Sequence, residues 1–157
     1  MTIRSCIKNS TYVFLDTAPL IYFIEAHPVY GEMVRQFILA AESGKIKAIS
    51  SVITLHEVLV QPYRNGNDTL AEKFSAFLKG GRNITLLPIS DEIAEAASRL
   101  RGRYLFLKLA DAMQIATALH AGADLFLTND KQLKQLTEIP VAVLDECCKD
   151  EKLNPDG

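Results

Sequence analysis

Short apolar runs recur along this chain, and their period switches between two and about three and a half. Tyr12 to Leu15 is a compact run of strand formers closed by Asp16. Pro19 stands where a first helical turn tolerates proline, which predicts a helix over Pro19 to Ala26, ended by His27-Pro28. Met33, Val34, Phe37, Ile38 and Ala41 fall at helical spacing and predict a helix from Gly31 to Ser43, stopped by Gly44. Lys47 to Ser51 reads as a strand, and Thr54 to Val60 as a helix that ends before Pro62. Tyr63 to Asp68, with its Asn-Gly-Asn-Asp, reads as a loop. Thr69-x-x-Glu72 matches a capping box. Leu70, Phe74, Phe77 and Leu78 line one face of the helix behind it, and Gly80-Gly81 closes it.

Ile84 to Leu87 is the next predicted strand. Ser90, Asp91 and Glu92 then start a helix that runs to Leu100, with the acids favoured at the positive end of its dipole. Leu109 to Ala121 is apolar on nearly every side, as in a central buried helix, and Gly122 terminates it. A strand over Leu125 to Leu127 turns through Thr128-Asn129-Asp130 into a short helix over Lys131 to Leu136. Val141 to Leu144 is the last strand, and the polar stretch from Asp145 is expected to fray. Strands alternating with helices predict an α/β fold in three layers, α/β/α, around a mostly parallel sheet. Neither an internal repeat nor a linker interrupts it, so residues 1–145 read as a single domain and 146–157 as a polar C-terminal tail. Sites in such folds gather at the carboxyl ends of strands, and Asp16 and Asp130 both follow strand runs directly.

A length of 157 residues with 48% apolar residues suits one domain with a sizeable core. A formal net charge of −2 excludes a protein that coats nucleic acid by bulk charge. The cysteines Cys6, Cys147 and Cys148 are odd in number and two are adjacent. That is no disulfide framework, and it predicts a cytoplasmic, reducing setting. Neither a CxxC nor an HxxxH spacing occurs, which argues against structural zinc. Arg4 and Lys8 before the apolar stretch Tyr12 to Ile24 raise a signal-peptide reading. Asp16 and Pro19 interrupt that stretch, and no small-residue cleavage site follows. No uninterrupted apolar run reaches the ~18 residues of a membrane-spanning helix.

Four acids sit at the edges of apolar segments: Asp16 in VFLDT, Glu57 in TLHEV, Asp111 in KLADAMQIATAL and Asp130 in FLTND. Each has a plain structural reading. Asp16 would cap the helix at Pro19, Thr54-x-x-Glu57 would be a capping box, Asp111 would favour a helix start, and Asp130 would serve a turn. Together these readings weaken, because a cap would do as well as Ser or Asn. Unpaired carboxylates rarely enter apolar surroundings. Four in one cleft repel each other, and a divalent cation relieves that repulsion. The expectation is a carboxylate site for Mg²⁺ or Mn²⁺ doing phosphoryl chemistry.

With these residues in hand, the chain resembles the PIN-domain family of ribonucleases, and within it the VapC-type toxins of toxin–antitoxin pairs. FLDT, SSVITLHEVL, LADAMQIATAL and LFLTND appear in the family's order, from Tyr12 to about Leu144. The resemblance implies a PIN-like fold and a metal-dependent endoribonuclease. Its acidic set carries over onto Asp16, Glu57, Asp111 and Asp130, with Thr128 as the strand-end hydroxyl that orders the last acid. Asp16 and Asp111 would bind the ion directly, while Glu57 and Asp130 would complete the site directly or through water. The ion would activate water for in-line attack, leaving a 5′-phosphate and a 3′-hydroxyl. The implied partners are an RNA substrate, a cognate antitoxin protein and a second copy in a homodimer. His27, His56 and His120 are left structural. Arg99, Arg101, Arg103 and Lys108 before Asp111, with Lys131 and Lys134 after Asp130, would guide single-stranded or looped RNA.

Competing readings are a PIN-fold RNA-processing nuclease without an antitoxin, a phosphatase with Asp16 as nucleophile, and a non-catalytic partner-binding module. The phosphatase needs a second acid where this chain has Ala18. The module would use Leu20, Ile21, Phe23 and Ile24 as a groove, although core packing is the commoner fate of such residues.

Overall fold

The computed structural model describes residues 1–80 and 84–153. Among them, the apolar runs form strands β1 (Tyr12–Leu15), β2 (Lys47–Ser51), β3 (Ile84–Leu87), β4 (Leu125–Thr128) and β5 (Val141–Val143). These pair in the order β3-β2-β1-β4-β5, and every pairing is parallel. Parallel strands buried on both faces need apolar residues pointing both ways, which is why β1 and β4 are apolar without alternation. Val13, Leu15, Leu125 and Leu127 enter one core, and Phe14, Ile49 and Phe126 enter the other. Phe14 and Phe126 stack with ring centres 5.1 Å apart.

The first core is covered by helices α1 (Ile3–Asn9), α2 (Thr17–Ile24), α3 (Gly31–Glu42), α4 (Val52–Arg64) and α5 (Asp68–Lys79). The second lies under α6 (Asp91–Arg103), α7 (Leu109–His120) and the 3-10 turn Lys131–Gln135. Helix α8 (Leu144–Leu153) returns to α1. The three-layer α/β/α architecture is therefore the one the alternation of periods predicts. No helix of the described residues is long and apolar enough to cross a membrane.

Several boundaries differ from the sequence expectation. Helix α2 starts at Thr17, capped by Asp16, so Pro19 falls inside its first turn, where no intrahelical amide bond is lost. Helix α4 starts directly after β2, capped by Ser51, and continues through Pro62. A proline one turn from the helix end removes a single bond, and burial of its ring against the core offsets that. Thr54 and Glu57 thus lie inside α4 and form no capping box. The cap of α5 is Asn67, whose side chain accepts from the Leu70 amide at 3.1 Å, in place of Thr69 and Glu72.

Helix α6 extends to Arg103, and β5 ends at Val143. The expected fraying from Asp145 is corrected: Leu144–Leu153 is helical, with Leu144 and Cys147 buried. Amphipathic packing against α1, itself not foreseen from the sequence, holds this helix. Gly81 of the Gly80-Gly81 stop and residues 154–157 of the tail lie outside the described residues.

Candidate active site

Strands β1 and β4 end together. Leu15 is in register with Leu127, and the Asp16 amide donates to the Leu127 carbonyl at 3.0 Å. Asp16 therefore emerges at the carboxyl edge of the sheet beside the end of β4. Its carboxylate accepts from the Thr17 amide at 2.8 Å, the Thr128 hydroxyl at 2.7 Å and the Gln114 side-chain amide at 3.4 Å. Thr128 also accepts from the Asp130 amide at 3.1 Å, and Asp130 in turn caps the 3-10 turn by accepting from Gln132 at 2.9 Å.

Beneath these acids runs a buried polar chain. The Thr17 hydroxyl donates to Glu57 and lies 3.3 Å from the Thr54 hydroxyl. Gln114 donates to Thr54 and accepts from Ser51, whose oxygen also caps α4 through the Ile53 amide at 3.1 Å. Ser51, Thr54, Gln114 and Thr128 are all essentially inaccessible to solvent. Among the described residues, no buried side-chain polar atom lacks a partner. Such a complete network holds its members in one geometry.

The electrostatics explain why the acids matter jointly. Burial pushes the Asp16 carboxyl up to about 6, and the charges of Asp111 and Glu57 add to the rise. The Thr128 and Thr17 hydrogen bonds pull the other way. Asp111, in the first turn of α7, is also raised by burial and by the charges of Asp130 and Glu57, with Lys108 opposing. Asp16 thus lies within electrostatic reach of Asp111 and Glu57, and Asp111 within reach of Glu57 and Asp130, with Thr128 hydrogen-bonded to both Asp16 and the Asp130 amide. Among the described residues, no three His, Cys, Asp or Glu side chains are gathered closely enough to ligate an ion directly. The donor set is nonetheless entirely hard oxygen. A Mg²⁺ that keeps several waters needs only one or two direct carboxylates, so the residues fit such an ion.

Gln114, Thr17, Thr54 and Ser51 are the members that sequence reading left unassigned. Gln114 lies three residues after Asp111, on the same helix face, and is a large polar side chain in a buried helix. That combination was the available signal. Thr54 carried only the capping-box pattern with Glu57, and nothing in the sequence marked Thr17.

The histidines are accounted for without chemistry. His27 accepts from the amides of Val29 and Tyr30, both at 3.2 Å, and its ring packs against Tyr22 and Tyr30. His56 and His120 are exposed. The basic residues near the site are mostly occupied. Arg103 pairs with Glu138 at 2.6 Å, Lys131 with Asp145 at 2.8 Å, and Lys134 with Glu146. Lys131, Lys149 and Tyr30 hold the Asp145 carboxyl well below the usual carboxylate range. Leu20 and Ile24 are core residues, while Ile21 and Phe23 are only partly covered.

The class defined by these features is a three-layer α/β/α sandwich with clustered acidic side chains at the carboxyl edge of a parallel sheet. Residues 13–139 match the PIN domain model, and the chain belongs to the PIN-domain family. No curated protein matches the sequence. Among solved structures, the chain is similar to VapBC2 from Rickettsia felis, bound to a DNA fragment from their promoter. The TM-score is 0.69 at 17% identity, over 85% of this chain and 98% of that one. A toxin–antitoxin complex from Klebsiella pneumoniae gives a TM-score of 0.61 at 24% identity, covering 84% of this chain and 97% of that one. VapC20 of Mycobacterium tuberculosis, a sarcin–ricin loop cleaving toxin, gives 0.60 at 15%, covering 73% and 86%. At these identities the likeness is one of fold.

Proposed function

We propose that this protein is a metal-dependent endoribonuclease acting as the toxin of a toxin–antitoxin pair. The observation that carries the reading is Asp16: a carboxyl fixed at the shared end of β1 and β4, raised to about 6, and facing the charges of Asp111 and Glu57. Support for the toxin reading comes from the structural neighbours, which include a toxin–antitoxin complex and a sarcin–ricin loop cleaving toxin.

Asp16 and Asp111 would hold a Mg²⁺ or Mn²⁺ ion, with Glu57 and Asp130 completing the site directly or through water. When bound, the ion supplies an activated water and neutralises charge on the scissile phosphate. Thr128 orients the Asp16 carboxylate, and Thr17 orients Glu57. Gln114 ties both to the floor of the site. The starts of α2, α4 and α7 lie at the same edge, so their positive dipole ends favour an anionic backbone there. The nuclease unit covers residues 1–145, with α8 as its extension. An antitoxin would cover this edge, a homodimer is the working assembly, and the cytoplasm is the working compartment.

Incubation of the purified protein with RNA and Mn²⁺ or Mg²⁺ tests the reading. Cleavage to products with 5′-phosphate ends, abolished by EDTA and by Asp16→Asn, is the expected result. RNA left intact by high concentrations of wild-type protein overturns it.

A further inference from the structure

Beside the acidic cluster, α2, α4 and α5 line a cavity of about 230 Å³. We propose that it receives one unstacked base of the RNA, adjacent to the scissile phosphate; this rests on the ribonuclease reading above. Three features of the cavity point there.

The first is continuity. Glu57 lines the cavity and also takes the Thr17 hydroxyl beside Asp16, so the cavity and the acidic cluster share this residue. Gln61, four residues on along α4, continues the same helix face away from the acids. A nucleotide whose phosphate lies at Asp16 therefore has its base within reach of Gln61.

The second is composition. The floor is apolar, with Val58 and Phe74 each 2% exposed and Ile21 and Leu70 partly covered. The rim carries the side-chain amides of Gln61, Asn65 and Asn67. Gln61 donates to Asn65 at 3.1 Å, and Asn67 is bound through one oxygen to the Leu70 amide at 3.1 Å. Each amide keeps further polar atoms for a ligand. A flat apolar body with a polar edge is what such a space accepts, and nucleobases have that form.

The third is charge. The lining includes Glu25 and Glu57 and, among the described residues, neither lysine nor arginine. A phosphate is repelled there, whereas exocyclic amino groups donate to carboxylates. The occupant is accordingly an amino-bearing base (guanine, adenine or cytosine) in preference to uracil. The volume is below the 300–1,000 Å³ typical of drug-sized sites, which suits a single ring system. A docked protein helix would instead need anchors repeated over several turns.

The test uses 12-nucleotide RNAs that differ only in the bases flanking the cut, with wild type, Gln61→Ala and Leu70→Trp. Gln61 is exposed and alanine favours helix, so the first variant folds; Leu70→Trp fills the cavity. Wild type is expected to prefer an amino-bearing base over uridine on one side of the cut. Gln61→Ala should narrow that preference about tenfold, the scale of a lost hydrogen bond. Leu70→Trp should erase the preference. A preference that both variants leave intact gives the cavity to another occupant, such as a protein partner, and overturns the assignment without touching the nuclease reading. Equal loss on all four bases overturns it too.

Wild type inert towards RNA sinks the nuclease reading. The assignment is then judged by fluorescence anisotropy of the same RNAs on Asp16→Asn protein. A base ranking lost in Asp16→Asn/Gln61→Ala upholds it, and a flat ranking overturns it.

Discussion

Two aspartates stand at opposite ends of the same strand pair and do different work. Asp124 precedes β4, and its carboxylate accepts from the amides of Thr11 at 2.8 Å and Tyr12 at 3.2 Å. It staples the start of β1 to the start of β4. Asp16 follows β1 and is equally well hydrogen-bonded. What separates them is company. The partners of Asp124 are backbone amides, whereas Asp16 also meets the charges of Asp111 and Glu57 in a half-buried setting. Hydrogen bonding alone does not mark a functional carboxylate. What sets Asp16 apart is burial among like charges, which raises its pKa to about 6.

The largest effect should fall on activity. Asp16→Asn keeps the cap on α2 and removes the charge, so RNA cleavage should drop at least about a hundredfold. Asp124→Ala should leave cleavage within about threefold and cost about 1–2 kcal/mol in urea denaturation. A folded Asp124→Ala protein without activity would dissolve the contrast. Next comes the floor of the site. Gln114→Leu removes a hydrogen-bond partner from each of the buried hydroxyls of Ser51 and Thr54 and should cost about 1–3 kcal/mol. Unchanged stability would show that the polar chain is slack.

Titration sharpens the comparison further. In EDTA, Asp16 binds its proton up to about 6 in the folded chain, against 3.8 for an open one. Its contribution to stability is complete below 3.8 and is lost as pH rises through about 6. The metal-free protein should therefore lose about 1–2 kcal/mol over that window, discounted for the partly open site. Asp16→Asn should flatten the profile, and Mn²⁺ should restore stability at the upper end. A Tm that rises across the window in EDTA, with the same slope in the variant, refutes the account. The smallest effect belongs to Arg103, paired on the surface with Glu138. Arg103→Ala should shift Tm by no more than about 2 °C and leave cleavage unaltered. A tenfold fall in rate would put the RNA across that surface.

Much of the architecture was legible in advance because burial and periodicity are local properties. Tyr12–Leu15 and Lys47–Ser51 were read at their observed bounds. The misreadings share a cause: local signals were outweighed by packing. Pro62 looks like a helix stop, yet its buried ring and late position let α4 run on to Arg64. Thr69 and Glu72 match a capping pattern, but Asn67 reaches the Leu70 amide first. The polar run after Asp145 hides Cys147, which with Leu144 becomes a buried stripe only because α1 lies there to receive it.

By itself, the sequence determined that apolar strands alternate with helices around a parallel sheet, and that Asp16, Glu57, Asp111 and Asp130 border apolar segments. Only the tertiary structure decided that Thr17 orients Glu57, that Gln114 reaches Asp16 across 98 residues of chain, and that a cavity adjoins Glu57. The reason is range. A turn or an amphipathic face is encoded by neighbours in sequence, whereas a side chain's charge company depends on which distant strand ends beside it.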